Sequence, residues 1–235
     1  MHRRDEGTPI EETLRALDDL VRSGKIRYIG ASNYMAWQLA RANLLAEINH
    51  WTPFVSVQNH YHMFERELER EMIPFCAAYH VGILPYFPLA GGFLTGKYQR
   101  GAPAPAGSRG ETSAYVQAYM TEGNYDKLAA LQTWSAARGH TLAELAHVWL
   151  LAHPEVSSVI SGATSAEQLL NNAKSADWSL TAAELVRKAV GAARGLWDAG
   201  LGQQIDGGLR ALGTGEAFLE QQDLGNLLAN CHQRV

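Results

Sequence analysis

The chain has 235 residues, 46% of them apolar and 19% charged, with a formal net charge of −4. That length supports one large domain or two small ones, with ample residues for a core. No basic excess is present to draw nucleic acid or an anionic membrane surface, so neither is expected as a partner.

In chain order, Met1-His2-Arg3-Arg4-Asp5 carries no apolar segment behind it, so no signal peptide is read and a cytoplasmic location is expected. Thr8-Pro9-Ile10-Glu11 predicts a helix start, with Thr8 as cap, Pro9 at the first helical position and Glu11 completing a capping box. Ile10, Leu14, Leu17 and Val21 recur at helical spacing, and Ser23-Gly24 ends the run. Residues 25–31 read as a strand closing on Ser32-Asn33, and 35–48 as a second helix. A strand over 54–57 closes on Gln58-Asn59, and a third helix is expected over 65–79. That helix carries Cys76; the other cysteine, Cys231, is far away, which argues against a disulfide framework and fits a reducing cytosol. The run 81–84 reads as a strand leading to Tyr86.

These strand starts are about 27 residues apart, the length of one repeated strand–helix unit. Intervening helices forbid tight hairpins and require a parallel sheet. Next, 100–123 reads as a long polar loop, followed by helices over 125–137 and 141–152, the second with a Thr141/Glu144 capping box. A last strand over 156–160 closes on Ser161-Gly162, and Ser165 with Gln168 opens a further helix, as Thr181 with Glu184 opens another.

Each strand gives way at its C-terminal end to small or hydrogen-bonding residues: Ser32-Asn33, Gln58-Asn59, Tyr86 and Gly162. In parallel α/β folds the site lies at those ends. Singly, Asn33 or Asn59 reads as well as a turn former. Gly162-Ala163-Thr164-Ser165 feeds a helix N-terminus, which suits phosphate, although Ser165 and Gln168 also serve simply as caps. Gly91 to Lys97 fits most of a P-loop, but Tyr98 stands where the magnesium-binding Ser/Thr is required. The apolar window 72–93 contains His80, Gly82 and prolines, so it reads as a helix end and buried strand instead of a membrane span. His60-Tyr61-His62 puts two imidazoles on one side if extended, but no third metal ligand is near, and no metal is expected. The scattered Trp37, Trp51, Trp134 and Trp149 read as core and rim packing.

The runs from Thr8 to Leu14, Gly24 to Asn33, Gln58-Asn59, Tyr86 to Tyr98, and Gly162 to Ser165 with Gln168 and Asn172 together resemble an aldo-keto reductase. The resemblance extends from His2 to about position 190. It implies an α/β fold of the (β/α)8 TIM-barrel family, here an incomplete barrel of about four parallel strands with surrounding helices. Residues 1–194 would form the partial barrel and 195–235 a C-terminal extension, in which 216–228 reads as a helix. The family moves a hydride between a nicotinamide, usually of NADP(H), and a small carbonyl substrate. By resemblance, Ser32, Asn33 and Gln58 would hydrogen-bond the nicotinamide carboxamide, and Tyr86 would stack on the ring. Pro88, Leu89, Gly91 and Lys97 would line the pyrophosphate path, while Gly162, Thr164, Gln168 and Asn172 would hold the adenosine end and its 2′-phosphate. Phe87 stands where many members have a smaller residue.

His2 matches the family's catalytic His. The Asp, Tyr and Lys of its catalytic set belong to earlier strand–helix units and have no match here. Loss of general-acid help typically costs 10²–10⁴-fold. The expectation is therefore an NADP(H)-dependent reductase homologue, truncated and weakly active or inactive alone. The alternatives are a non-catalytic NADP(H)-binding half-barrel, or an interaction protein that self-associates through exposed strand edges.

Overall fold

A computed structural model describes residues 1–181 and Glu184. They belong to the first of two units, Met1–Leu185. The expected domain boundary after 194, the extension and its helix over 216–228 lie outside the described residues.

Helix α1 (Ile10–Arg22) places Glu11 and Glu12 in its first turn and Arg22 in its last, matching the helix dipole. The expected Thr8 cap is not formed: the Thr8 hydroxyl donates to Asp5 Oδ2 at 2.6 Å, and Pro9 holds the N-cap position without a side-chain bond. The first strand is shorter than expected. Lys25 N and Ile26 N both donate to Leu20 O beyond Gly24, which adopts φ 73°, so these residues finish the helix. Strand β1 (Ile29–Ser32) follows, then α2 (Ala36–Ile48) and β2 (Phe54–Gln58).

The expected third helix is divided into a 3-10 turn, Glu67–Glu69, and α3 (Met72–Tyr79). Pro74 has no N–H to offer the carbonyl four residues back, so the α-helix cannot be extended to that turn. Strand β3 (Gly82–Ile83) is short. Pro85 likewise has no donor, and the chain at 156–160 joins through two isolated parallel bridges, Ile83 with Val156 and Tyr86 with Ile160, instead of a continuous fourth strand.

The sheet is parallel in the order β1-β2-β3. Its helix-facing side buries Ile29, Ala31, Phe54, Val57 and Ile83 against Ile10, Leu14, Leu39, Ala42, Met72 and Cys76. The opposite face is built from small residues. A Cβ on Gly30 would meet Ser56 Oγ at 2.5 Å, and one on Gly82 would meet Ser157 Oγ at 2.3 Å. This layout of helices on one side of a parallel sheet is consistent with a partial (β/α)8 barrel.

Two polar side chains, one buried and one half-buried, fix where β2 begins. Asp18, 4% exposed, accepts from Thr52 N and Thr52 Oγ1, each at 2.9 Å. Asn43 exchanges hydrogen bonds with both main-chain groups of Phe54 at 3.0 and 2.9 Å.

The 100–123 segment is not a structureless loop. It contains two short helices, α4 (Arg109–Thr112) and α5 (Ala114–Gln117). Helix α6 (Glu122–Ala136) starts earlier than expected, because Thr121 caps it by accepting from Asn124 N. Helix α7 (Leu142–Leu151) has the full Thr141/Glu144 capping box. Together with Tyr61, Phe93, Leu94 and Tyr98, helices α6 and α7 form a second core that includes Leu128, Leu145 and Trp149. The tryptophans divide as rim and core: Trp37 is 53% exposed and Trp149 is 2% exposed. Helix α8 (Ala166–Lys174) follows. Among the described residues, no helix is long and apolar enough to cross a membrane.

Candidate functional site

Parallel pairing brings the C-terminal ends of β1, β2 and the chain after β3 side by side, and the polar residues there meet. Ser32 Oγ donates to Gln58 O at 2.7 Å, and Asn33 N donates to the same carbonyl at 3.1 Å. The Asn33 amide donates to Ser32 Oγ and to His2 O, each at 3.1 Å, and accepts from the Tyr86 hydroxyl at 2.9 Å. Burial pushes the Tyr86 phenol pKa up, which keeps it a donor. Among the described residues, the Gln58 side-chain amide has no hydrogen-bond partner, leaving a free donor and acceptor beside Ser32 and Asn33. Ser32, Asn33, Gln58 and Tyr86 are therefore one group. His2 joins it only through its main-chain carbonyl, and its side chain is exposed.

Three non-glycine residues at this end adopt left-handed backbone: Asn33 (φ 58°), Phe87 (φ 65°) and Ala90 (φ 49°). Such strain costs on the order of 1–3 kcal/mol per residue and gathers at ligand sites.

The expected cradle 88–97 is a 3-10 turn, Ala90–Thr95, bent at Gly91 and Gly92 (φ 66° and 100°). Pro88 is buried and Leu89 half-buried. Gly91 is close-packed: a Cβ there would lie 2.4 Å from Val116 Cγ2 and 2.8 Å from Phe87 Cζ. Its carbonyl accepts from the Tyr98 hydroxyl at 2.9 Å. Lys97 is exposed, its Nζ 5.1 Å from the Tyr98 ring centroid, while its stem passes the Gly92 Cα closely. Tyr98, which breaks the P-loop pattern, is thus a 2% exposed core residue that tethers the turn.

A second polar group forms at the start of α8. The Gln168 side chain accepts from Thr164 N at 2.9 Å and Thr164 Oγ1 at 3.1 Å, and Asn172 Nδ2 donates to Gly162 O at 3.4 Å. Ser165 caps the helix through Gln168 N at 3.2 Å, while the Gln168 side chain turns to Thr164 and not back to the Ser165 main chain. Gly162, Thr164, Gln168 and Asn172 are brought together by these bonds. The parallel bridge between Tyr86 and Ile160 connects this group to the first.

Sequence reading did not assign His60 and Tyr115 to this site. His60 stacks on Tyr86 with ring centroids 5.3 Å apart at 15°, and the Tyr115 hydroxyl lies 2.7 Å from its Nδ1 and 2.9 Å from its Nε2. The alternation Gln58, His60, His62 carried the signal, since alternate strand residues share a side. His62 is fully buried. Its Nδ1 accepts from Phe64 N at 3.2 Å, and its Nε2 has no partner. Burial, with His60 nearby, pushes the His62 pKa down to about 3, and burial pushes that of His60 down to about 4, so both are neutral at pH 7. Among the described residues, no three His, Cys, Asp or Glu side chains are grouped to hold a metal.

The fold and the polar strand ends define a barrel of the class that binds its ligand at the C-terminal face. The chain belongs to the aldo/keto reductase family, whose model matches residues 1–188. It is 35% identical over 160 residues to versiconal hemiacetal acetate reductase of Aspergillus parasiticus, covering 68% of this chain and 47% of that protein. It is 51% identical over 94 residues to an aldo-keto reductase of Alternaria alternata, covering 40% and 26%. It is also 36% identical over 180 residues to an Arabidopsis thaliana protein named "probable voltage-gated potassium channel subunit beta", covering 75% and 55%. The chain spans about half the length, or less, of these relatives.

Proposed function

We propose that this chain supplies the nicotinamide-dinucleotide site of an aldo-keto reductase and takes NADP(H). The observation that carries the reading is the union of Ser32, Asn33 and Tyr86 beside the free Gln58 amide. A carboxamide needs one acceptor and one donor in its plane, and the Gln58 amide with the Ser32 and Asn33 oxygens offers that set. The donor chemistry therefore fits the group. When bound, the cofactor supplies a hydride for a small carbonyl substrate. The chain's part is to orient: Tyr86 offers a ring platform, and Ser32, Asn33 and Gln58 fix its rotation. The Gly91–Gly92 bend and Lys97 suit the pyrophosphate. Gly162, Thr164, Gln168 and Asn172 suit the adenosine end. Those four are uncharged, so selection of the 2′-phosphate falls to neutral donors.

The Asp, Tyr and Lys of the family's catalytic set have no match among the 235 residues. Turnover by this polypeptide alone is expected to fall short by roughly the 10²–10⁴-fold of a missing general acid. Titration of the purified chain with NADPH and NADH, followed by fluorescence, tests the reading; 4-nitrobenzaldehyde is then added. Binding with near-background turnover supports it. Absence of any fluorescence change removes it, and brisk turnover removes the claim of inactivity.

A second reading, self-association through the sheet edge, is favoured by Ile160, Leu169 and Leu170, which are 42%, 60% and 62% exposed. These lie on the bridge-forming segment and on α8, beside one end of the sheet. Light scattering on the eluted chain decides it, since a monodisperse monomer contradicts association. The buried, unpaired Cys76 suits a reducing, cytoplasmic compartment.

A further inference from the structure

We infer that His60 is a positioning residue for the Tyr86 platform, and that Tyr115 couples it to the 100–123 segment. The inference rests on the cofactor reading above and assigns to that site two residues which the family motifs do not mark.

A ring can orient a nicotinamide only if its own plane is fixed. One end of Tyr86 is fixed by the hydroxyl bond to Asn33. That bond leaves rotation about the long axis of the ring open. His60 closes it. The two residues are direct partners in a parallel bridge, and their rings lie nearly parallel, at 15°. His60 in turn is held on its other sides. His62 meets it edge-on at 4.8 Å and Phe87 at 5.7 Å, and the Tyr115 hydroxyl lies against both ring nitrogens, at 2.7 and 2.9 Å. Behind this, Tyr119 donates to the Tyr115 hydroxyl at 3.3 Å, and His62 packs edge-on against Tyr119 at 5.3 Å. Tyr115 lies on α5, so the segment that follows the Gly91 bend reaches the platform through this one hydroxyl.

An imidazole suits this place better than a cationic side chain. His60 is neutral at pH 7 because of its burial. It therefore puts no positive charge behind a platform that must also accept the positively charged oxidised nicotinamide. A neutral aromatic neighbour contributes the ring contact without that repulsion.

The test separates the nicotinamide end from the adenosine end. The full chain and its His60→Ala, His60→Phe and Tyr115→Phe variants are titrated with NADPH and with 2′-phospho-ADP-ribose, which lacks the nicotinamide. His60→Ala and Tyr115→Phe are expected to weaken NADPH by roughly three- to tenfold, the worth of one aromatic contact in the first and of one neutral hydrogen bond in the second, and to leave 2′-phospho-ADP-ribose unchanged. His60→Phe, which restores a flat neutral ring without the Tyr115 contact, is expected to bind NADPH better than His60→Ala and about as well as Tyr115→Phe. Circular dichroism and thermal midpoint establish that each variant is folded. Should His60→Ala fail to fold, Tyr115→Phe and His60→Phe decide the matter, since neither removes a ring. Unchanged NADPH affinity, an equal loss for both ligands, or no recovery with His60→Phe overturns the positioning role while the cofactor reading stands. Failure of the unmodified chain to bind either ligand overturns both.

Discussion

The Tyr86 hydroxyl donates to Asn33 Oδ1 at 2.9 Å, joining residues 53 positions apart across the C-terminal ends of the sheet. Tyr86→Phe removes that bond and leaves a part-buried amide oxygen without its donor. The expected loss of stability is about 0.5–1.5 kcal/mol, the net worth of a neutral hydrogen bond. NADPH binding is expected to weaken modestly in Tyr86→Phe, which keeps the ring but loses one of its anchors, and to weaken further in Tyr86→Ala. Urea unfolding and fluorescence titration on both variants check this.

Gly91 is constrained twice, by φ 66° and by Val116 Cγ2 at 2.4 Å from where a Cβ would stand. Gly91→Ala should cost roughly 2–3 kcal/mol, from left-handed strain and overpacking together. In the double variant with Val116→Ala, the combined loss should be smaller than the sum, since the smaller side chain makes room. Additive losses would show that the clash contributes nothing.

Thr141 and Glu144 exchange reciprocal hydrogen bonds at the start of α7, whereas the Thr8 hydroxyl is committed to Asp5. Thr141→Ala should lower stability by about 1 kcal/mol, and Thr8→Ala should stay within roughly 0.5 kcal/mol of the unmodified chain. The urea midpoint should move for the first with an unchanged slope. A larger effect at Thr8 would contradict the observed capping.

His62 is neutral in the folded chain because its pKa is pushed down to about 3, first by burial and then by His60. An unfolded histidine titrates near 6.5. Between these values the unfolded chain binds the proton and the folded one does not, so acid favours unfolding. Each pH unit lost below about 6 should therefore remove about 1.4 kcal/mol through His62 alone. The stabilising effect of the neutral site is fully present above 6.5 and declines as pH falls towards 3. His62→Asn should flatten the fall of the thermal midpoint between pH 7 and 5. An equally steep fall in the variant would place the acid sensitivity elsewhere.

The alternation of strands and helices from α1 to β3, the parallel sheet and the family were legible in the sequence, because strand–helix spacing and apolar periodicity are local consequences of backbone geometry. Ser32, Asn33, Gln58 and Tyr86 were legible as strand-end residues for the same reason: each ends an apolar run, and parallel strands put such ends together. Capping at Thr141 was legible because both partners lie within one turn. Thr8 followed the same local rule, yet its hydroxyl was taken by Asp5, a competition between neighbours that spacing cannot rank. Strand lengths depended on individual missing donors, as at Pro85, and on helix ends that consumed Lys25 and Ile26.

Long-range packing sets what the 100–123 segment does. Its polar composition reads as loop, but Val116 finds a buried place against Gly91, and Tyr115 finds His60. Neither contact has a periodic signature, because the partners are distant in sequence and meet through packing. Asp18 divides between local and long-range partners: Arg22, one turn along the same helix, pairs with its Oδ2, but its Oδ1 is satisfied only by Thr52, 34 positions away. Local chemistry thus set which residues stand at the site, and long-range packing set which of them hold one another in place.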